Sequence, residues 1–314
     1  MKVVITGASG FTGAHMMRFL STCEDIVLTG LARGSSSSAT NPTGKSWVSA
    51  DLLDSDHLID ILDNICPDAI VHLAGRNHGA FKDLLETNVV GTKNLLDAAI
   101  KANPECQILV VSSSAIYGYA VRTAISEDTL SKPLNEYGIS KSAQDTLSLM
   151  YNEINGAQVA VARPFNLIGP EQTDSSVCGK IIQQIVEIEQ GKKETLDLFE
   201  ISSSRDFIDV RDAVIGYWTL ISHPKFAHAC SGRAFNIGSG KASAIHEVIK
   251  LIEKITGDHY RVRLADIHTS IHSQSQRSNN SRINAITGWK PAIPLQDSLR
   301  DMLKAAREKT PGRS

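Results

Sequence analysis

Short apolar runs alternate with stretches of helical periodicity from residue 2 to residue 163, and that alternation admits few folds. Strand-like runs fall at 2–6, 26–32, 46–50, 69–74, 107–112 and 158–163, with helical patterns near 11–22, 55–65, 80–102 and 136–155. Runs this apolar read as strands covered on both faces. Strands separated by helix-length segments pair in parallel, because each helix carries the chain back to the edge where the last strand began. The expected fold is α/β, a Rossmann-type doubly wound parallel sheet with a smaller C-terminal α/β domain suited to binding a substrate. After residue 163 helical patterns near 176–190, 211–222, 243–256 and 295–309 are joined by irregular polar stretches such as 273–282. The division predicted is 1–164 for the nucleotide-binding domain and mainly 165–314 for the second, with segments near 205–237 returning to the first. Extended pieces are expected at 207–210 and 234–237, a loop at the serine run 35–38, and a frayed tail at 311–314.

Charge and cysteine usage narrow the partners. A formal net charge of -2 gives no electrostatic footprint for nucleic acid, so an anionic ligand has to meet local cations. No apolar run is long enough to cross a bilayer, and Met1-Lys2 leads straight into Val3-Val4-Ile5 without room for a signal peptide. No membrane association and a cytoplasmic location are expected. Five scattered cysteines, never spaced as C-x-x-C, suggest neither a disulfide framework nor zinc. The pairs His223/His228 and His268/His272 are not joined by enough neighbouring carboxylates or cysteines to complete a ligand set, so no metal is expected.

Directly after the first strand stands Thr6-Gly7-Ala8-Ser9-Gly10-Phe11-Thr12-Gly13, opening the first helix. Glycines let a backbone turn sharply and approach a pyrophosphate, and a helix N-terminus offers it free N–H groups. Gly7, Ser9, Gly10, Phe11, Thr12 and Gly13 are therefore candidate dinucleotide contacts; a purely structural turn is the alternative. The second strand ends in Leu31-Ala32-Arg33-Gly34-Ser35, without the carboxylate that would take both hydroxyls of an adenine ribose. Arg33 and Ser35 can hold a 2'-phosphate instead, which predicts NADP, with NAD as the alternative if Arg33 is only an exposed strand end. Asp51 and Leu52 after the third strand are placed to touch the adenine. Leu73, Ala74 and Gly75 after the fourth can pass beneath the adjoining ribose; core packing is the competing reading.

Tyr137-Gly138-Ile139-Ser140-Lys141 places a phenol and an ammonium one helical turn apart on one face. A free phenol ionises near ~10, and a fixed ammonium beside it is expected to lower that value into a useful range. Lys141 can also grip the nicotinamide ribose, and Ser113 can hydrogen-bond the substrate oxygen that gains or loses a proton.

With Ser112-Ser113-Ser114-Ala115-Ile116-Tyr117-Gly118 between the glycine loop and this pair, nearly the whole chain resembles the extended short-chain dehydrogenase/reductase family, also called the NAD-dependent epimerase/dehydratase family. Further landmarks are Thr87-Asn88-Val89-Val90-Gly91-Thr92, Arg163-Pro164-Phe165-Asn166, Arg205-Asp206-Phe207-Ile208-Asp209-Val210-Arg211-Asp212, Phe235-Asn236-Ile237-Gly238 and Thr287-Gly288-Trp289-Lys290-Pro291. The resemblance implies a nucleotide-sugar substrate, with Ser113, Tyr137 and Lys141 catalytic and Tyr137 the acid/base. It also implies that Asn88, Ser112, Pro164 and Phe165 help bind the coenzyme, and that Ser113, Ser114 and Asn166 face the substrate. Arg205 would pair with a phosphate; a salt bridge to Asp206 or Asp209 is the alternative. Trp289 reads as a core anchor.

Sugar 4,6-dehydratases of this family carry an acidic residue where this chain has Ser114 and Ala115, so dehydration is disfavoured. Arg33 and the run Phe165-Asn166-Leu167-Ile168-Gly169-Pro170-Glu171-Gln172 make the chain most similar to GDP-4-keto-6-deoxy-D-mannose reductases. The alternatives are a UDP-hexose type 4-epimerase with tightly bound NAD and a non-catalytic dinucleotide sensor. The Arg-Pro-x-Asp/Glu segment common in such reductases is missing from 267–275, where Arg277 is the candidate substitute, and Asn135-Glu136 stands where a serine-proline is common. A homodimer through the helices containing 88–99 and 141–152 is expected by analogy with relatives.

Overall fold

Strand β1 (Lys2–Thr6) holds Val3, Val4 and Ile5 away from solvent, and the strands on both of its sides run parallel to it. The computed structural model describes residues 1–34, 45–118, 124–264 and 275–309. Ser35 with the 35–38 loop, the pair His268 and His272, residues 267–274 of the segment lacking the Arg-Pro motif, and the tail at 311–314 lie outside the described residues.

Helix α1 (Phe11–Leu20) follows β1, then β2 (Val27–Ala32), β3 (Lys45–Ser49), α2 (Ser55–Ile65), β4 (Ala69–His72), α3 (Phe81–Leu85), α4 (Gly91–Ala102), β5 (Gln107–Val111), α5 (Glu136–Asn155) and β6 (Val159–Pro164). These are the expected strands and helices with slightly shifted ends. One element differs: the stretch 80–102 is not a single α-helix, because a π turn at Glu86–Val90 separates α3 from α4. The widened turn places Asn88 inward at zero exposure.

The chain continues through β7 (Asn166–Ile168), α6 (Val177–Glu189), β8 (Leu196–Leu198), β9 (Ser204–Asp209), α7 (Val210–Ile221), α8 (Phe226–Ala229), β10 (Ala234–Ile237), β11 (Ala242–Ala244), α9 (Ile245–Thr256), β12 (Val262–Leu264), α10 (Ser281–Thr287) and α11 (Leu295–Lys309). The central sheet has seven strands in the order β10-β6-β5-β4-β1-β2-β3. Every pairing in it is parallel. The extended piece expected at 234–237 is thus a full edge strand. The one expected near 207–210 belongs to a separate small sheet, β11-β9-β7.

Two apolar layers cover the central sheet. On one face α1 and α7 pack with Phe235, Ile237, Ile283 and Trp289. On the other, α2 and α4 pack with Tyr151 of α5. Trp289 is 5% exposed, its indole abuts Gly216 and its Nε1 donates to the Asp212 carbonyl at 3.1 Å, as a core anchor should. A third core joins α6, α9 and α11 around Phe207 and Ile168. Strand order reverses between β1 and β4, and a crevice opens there beyond the carboxyl ends of the strands.

Candidate functional site

The turn after β1 is shaped by two glycines. Gly7 has φ +66°, and a Cβ there would lie 2.7 Å from the Ala74 nitrogen. At Gly13 a Cβ would lie 2.1 Å from the Gly7 carbonyl oxygen, so any side chain would push α1 off the turn. Helix α1 has no side-chain cap and no acidic residue in its first turn, which leaves its leading N–H groups and positive dipole end for an anion. These features fit a dinucleotide pyrophosphate.

A cavity of about 750 Å³ runs from this turn along the ends of β4, β5 and β6 to the small sheet. Of the predicted coenzyme contacts it is lined by Gly7, Gly10, Phe11, Thr12, Gly13, Leu73, Gly75, Ser112, Tyr137, Lys141, Pro164 and Phe165. Among predicted substrate contacts Ser113, Ser114, Asn166 and Arg205 line it as well. Ser9 and Arg33 are exposed outside this cavity, Arg33 at the end of β2. Asp51 and Leu52 also lie outside it: Asp51 accepts from the Leu53 nitrogen at 3.0 Å, and Leu52 is packed over Gly91. Ala74 and Asn88 sit behind the wall. Asn88 takes the Arg76 amide on Oδ1 at 2.8 Å and donates from Nδ2 to the Arg76 carbonyl and to Ser140 Oγ at 2.8 and 2.9 Å. It therefore braces the loop after β4 against α5 rather than facing the cavity.

Helix α5 carries the acid/base pair. Asn135 caps it, its Oδ1 accepting from the Gly138 nitrogen at 2.7 Å, so the unusual Asn135 serves as the signal that starts the helix. Tyr137 and Ser113 line the cavity together, and burial raises the Tyr137 phenol above its ordinary value while its interaction with the Ser113 hydroxyl opposes the shift. The lowering expected from Lys141 is not found. The Lys141 ammonium donates instead to the Val111 carbonyl at 2.8 Å and to Gln144 Oε1 at 2.6 Å. Burial lowers it to about 7 while Asp145 opposes the shift. Ser113 is extended and caps the short turn Ser114–Tyr117 through the Ala115 nitrogen at 3.1 Å.

Arg205 is exposed at the cavity wall, and the salt-bridge alternative does not hold. Asp206 is filled by Ser239, Gly240 and Ser278, and Asp209 by Arg211 and Ser298. The guanidinium is left facing the cavity. Arg277, by contrast, lines a different depression beside Lys241 and beside Lys250 and Lys254 along α9, and its neighbour Gln276 takes the cavity position. Gln276 Nε2 donates to the Gly118 carbonyl at 2.6 Å.

Several lining residues went unrecognised in the sequence. Arg76 and Asn77 directly follow the strand end that holds Leu73–Gly75, a position that the strand-end rule could have flagged. Thr173, Ser175 and Ser176 form a hydroxyl-rich approach to α6. No Asp, Glu or His lines the cavity among the described residues, whereas Arg76, Lys141 and Arg205 do. Among the described residues no group of metal-ligating side chains is gathered, and no helix is long and apolar enough to cross a membrane.

Residues 4–302 match the family described as GDP-mannose 4,6 dehydratase. The GDP-6-deoxy-D-mannose reductase of Pseudomonas aeruginosa is 34% identical over 96% of this chain and 96% of its own length. The structure of RMD from Pseudomonas aeruginosa complexed with NADPH superposes with a TM-score of 0.83 at 32% identity, covering 98% of this chain and 99% of that one. A UDP-glucose 4-epimerase of Halalkalibacterium halodurans is 27% identical over 95% of this chain and 93% of its own length. The fold, the uncapped glycine turn and the cationic cavity agree with these matches, and the chain belongs to the GDP-mannose 4,6 dehydratase family, as an NAD(P)-dependent sugar-nucleotide enzyme of the extended short-chain dehydrogenase/reductase type.

Proposed function

We propose that this protein is an NADPH-dependent reductase of a nucleotide 4-keto-6-deoxyhexose, GDP-4-keto-6-deoxy-D-mannose first among them. The observation that carries this reading is the cavity wall: one Tyr–Ser pair for a proton at a single oxygen, three cations, and no carboxylate among the described lining residues. Water loss from a sugar needs an acid and a base at further carbons, which this wall does not supply. Its relation to the Pseudomonas reductase supports the same choice.

Gly7, Gly10, Phe11, Thr12 and Gly13 would hold the pyrophosphate, and Ser9, Leu73, Ala74, Gly75, Ser112, Pro164 and Phe165 would complete the bed. Arg33 would take the 2'-phosphate. Bound NADPH would supply the hydride. Tyr137 gives its proton to the sugar O4 as that oxygen gains charge, so a carbonyl becomes an alcohol. The raised phenol suits this direction, because the acid must arrive protonated. Ser113 hydrogen-bonds the same oxygen. Arg205 grips the diphosphate with its planar fork, and Asn166, whose Nδ2 donates to the Asp206 carbonyl at 3.1 Å, lies beside it. In this reading residues 1–164 with α7 and β10 bind the coenzyme and the remainder binds the sugar nucleotide. The reading extends to a homodimer in the cytoplasm, consistent with five free thiols.

The epimerase relative supports a second reading, in which the same Tyr–Ser pair serves a coenzyme that stays bound. Absorbance of the reduced nicotinamide separates the two. Stoichiometric loss of NADPH with GDP-4-keto-6-deoxymannose is expected, and isomerisation of UDP-galactose without net oxidation would overturn the proposal.

A further inference from the structure

Behind Lys141 a line of buried polar groups crosses from α5 over α4 to β4 and β1. Gln144 Oε1 accepts from Lys141 Nζ at 2.6 Å, and its Nε2 donates to Thr92 Oγ1 at 2.8 Å. The Thr92 hydroxyl donates to the Asn88 carbonyl at 2.7 Å and lies 2.9 Å from His72 Nε2. His72 Nδ1 lies 2.7 Å from Thr6 Oγ1, which accepts from the Ala74 nitrogen at 3.1 Å. Gln144, Thr92 and His72 have zero exposure.

The hydrogens in this line have one arrangement. A hydroxyl has a single proton, and that of Thr92 is committed to Asn88, so His72 donates from Nε2 and accepts from Thr6 on Nδ1. The far end is a backbone amide and the near end a carboxamide, neither of which passes protons on. The line is therefore a clamp, not a proton wire. An ammonium has three N–H groups; Val111 and Gln144 take two, which leaves the third for the cavity that Lys141 lines.

We propose that Gln144 is a positioning residue for the reaction, fixing the Lys141 amine toward the cavity through the Thr92–His72–Thr6 line. The inference rests on the proposed reductase function. A long flexible lysine stem gains most from such fixed acceptors. A neutral amide also holds the ammonium without adding charge, so the amine stays near 7. The titratable and charged groups around Lys141 are few. From α5 come Tyr137 and Asp145, the latter bound to Arg163 at 2.6 and 3.0 Å. From β4 comes His72, held neutral by burial at about 3. The α4 side presents Thr92 and the β5 side the Val111 carbonyl.

The test compares Gln144→Met, Gln144→Glu and Thr92→Val by the pH profile of kcat/KM for NADPH oxidation with GDP-4-keto-6-deoxymannose. Gln144→Met should lower kcat about tenfold or more with little change in KM for the sugar, as misplacement of a reacting group does. It should move the alkaline limb to lower pH, because the ammonium loses an acceptor. Gln144→Glu should move that limb to higher pH, and Thr92→Val should follow Gln144→Met to a lesser extent. Limbs of both Gln144 variants coincident with the wild type would overturn the proposal. If Gln144→Met fails to fold, the opposed displacements of Gln144→Glu and Thr92→Val decide. Should the wild type not oxidise NADPH with this sugar, the functional reading falls, and the clamp is read from the pH dependence of NADPH fluorescence on binding. The same opposed displacements are expected there, and coincident curves overturn it.

Discussion

A tyrosine serves as an acid only while it keeps its proton, and burial keeps that of Tyr137 in place. Tyr137→Phe should lower kcat/KM by about 10²–10⁴-fold, the usual contribution of a positioned acid, while the NADPH dissociation constant stays within about twofold. Near-normal turnover in steady-state kinetics would remove Tyr137 from the reaction. Arg205→Met should raise KM for the sugar nucleotide by about 10–100-fold, since charge-assisted hydrogen bonds contribute roughly 1.5–3 kcal/mol each. An unchanged KM would show that the phosphate is held elsewhere. The Tyr137–Lys141 spacing was legible because both residues lie on one helix. The Gln144 clamp was not, because its partner Thr92 is 52 residues away and only the fold brings them together. Arg277 was misplaced for the same reason: the chain turns so that Gln276, not Arg277, meets the cavity.

Helix α5 is held at both ends and in the middle. Asn135 caps its start, Gly156 ends it at φ 67°, and Asp145 pairs with Arg163 of β6 with both side chains at 10% exposure or less. The Arg163 guanidinium also donates to Tyr117 Oη at 2.8 Å, so β6, α5 and the turn after β5 share one buried charge network. Breaking such a pair leaves a buried charge alone, and Asp145→Ala should cost about 3–5 kcal/mol in urea unfolding. A loss below about 1 kcal/mol would mean that the pair contributes no more than a surface salt bridge. Element existence was legible here from apolar periodicity and strand-length runs. The π turn at Glu86–Val90 was not, because one inserted residue leaves the apolar stripe of 80–102 nearly intact.

At the scale of the molecule, strand existence in the first half could be read from the sequence, but strand order could not: β10 closes the sheet edge from more than sixty residues beyond β6, by packing that no local pattern encodes. His72 links that core to pH. Its folded value of about 3 lies below the ordinary 6.5, so its contribution to stability is complete above 6.5 and is lost as pH falls from there toward 3. Thermal unfolding followed from pH 7 to pH 4 should show a steeper acid slope in the wild type than in His72→Gln; equal slopes would contradict this. Val90, Ile139, Met150 and Ile154 leave apolar surface on the π turn and α5. Light scattering should report a dimer that Met150→Glu with Ile154→Lys weakens, and a wild-type monomer would remove that proposal. The reduction itself is tested most directly with NADPH deuterated at its transferable position and GDP-4-keto-6-deoxy-D-mannose as substrate. One deuterium at C4 of the product sugar, matched by one oxidised coenzyme, is the predicted result; an unlabelled product or coenzyme that keeps its label would contradict it.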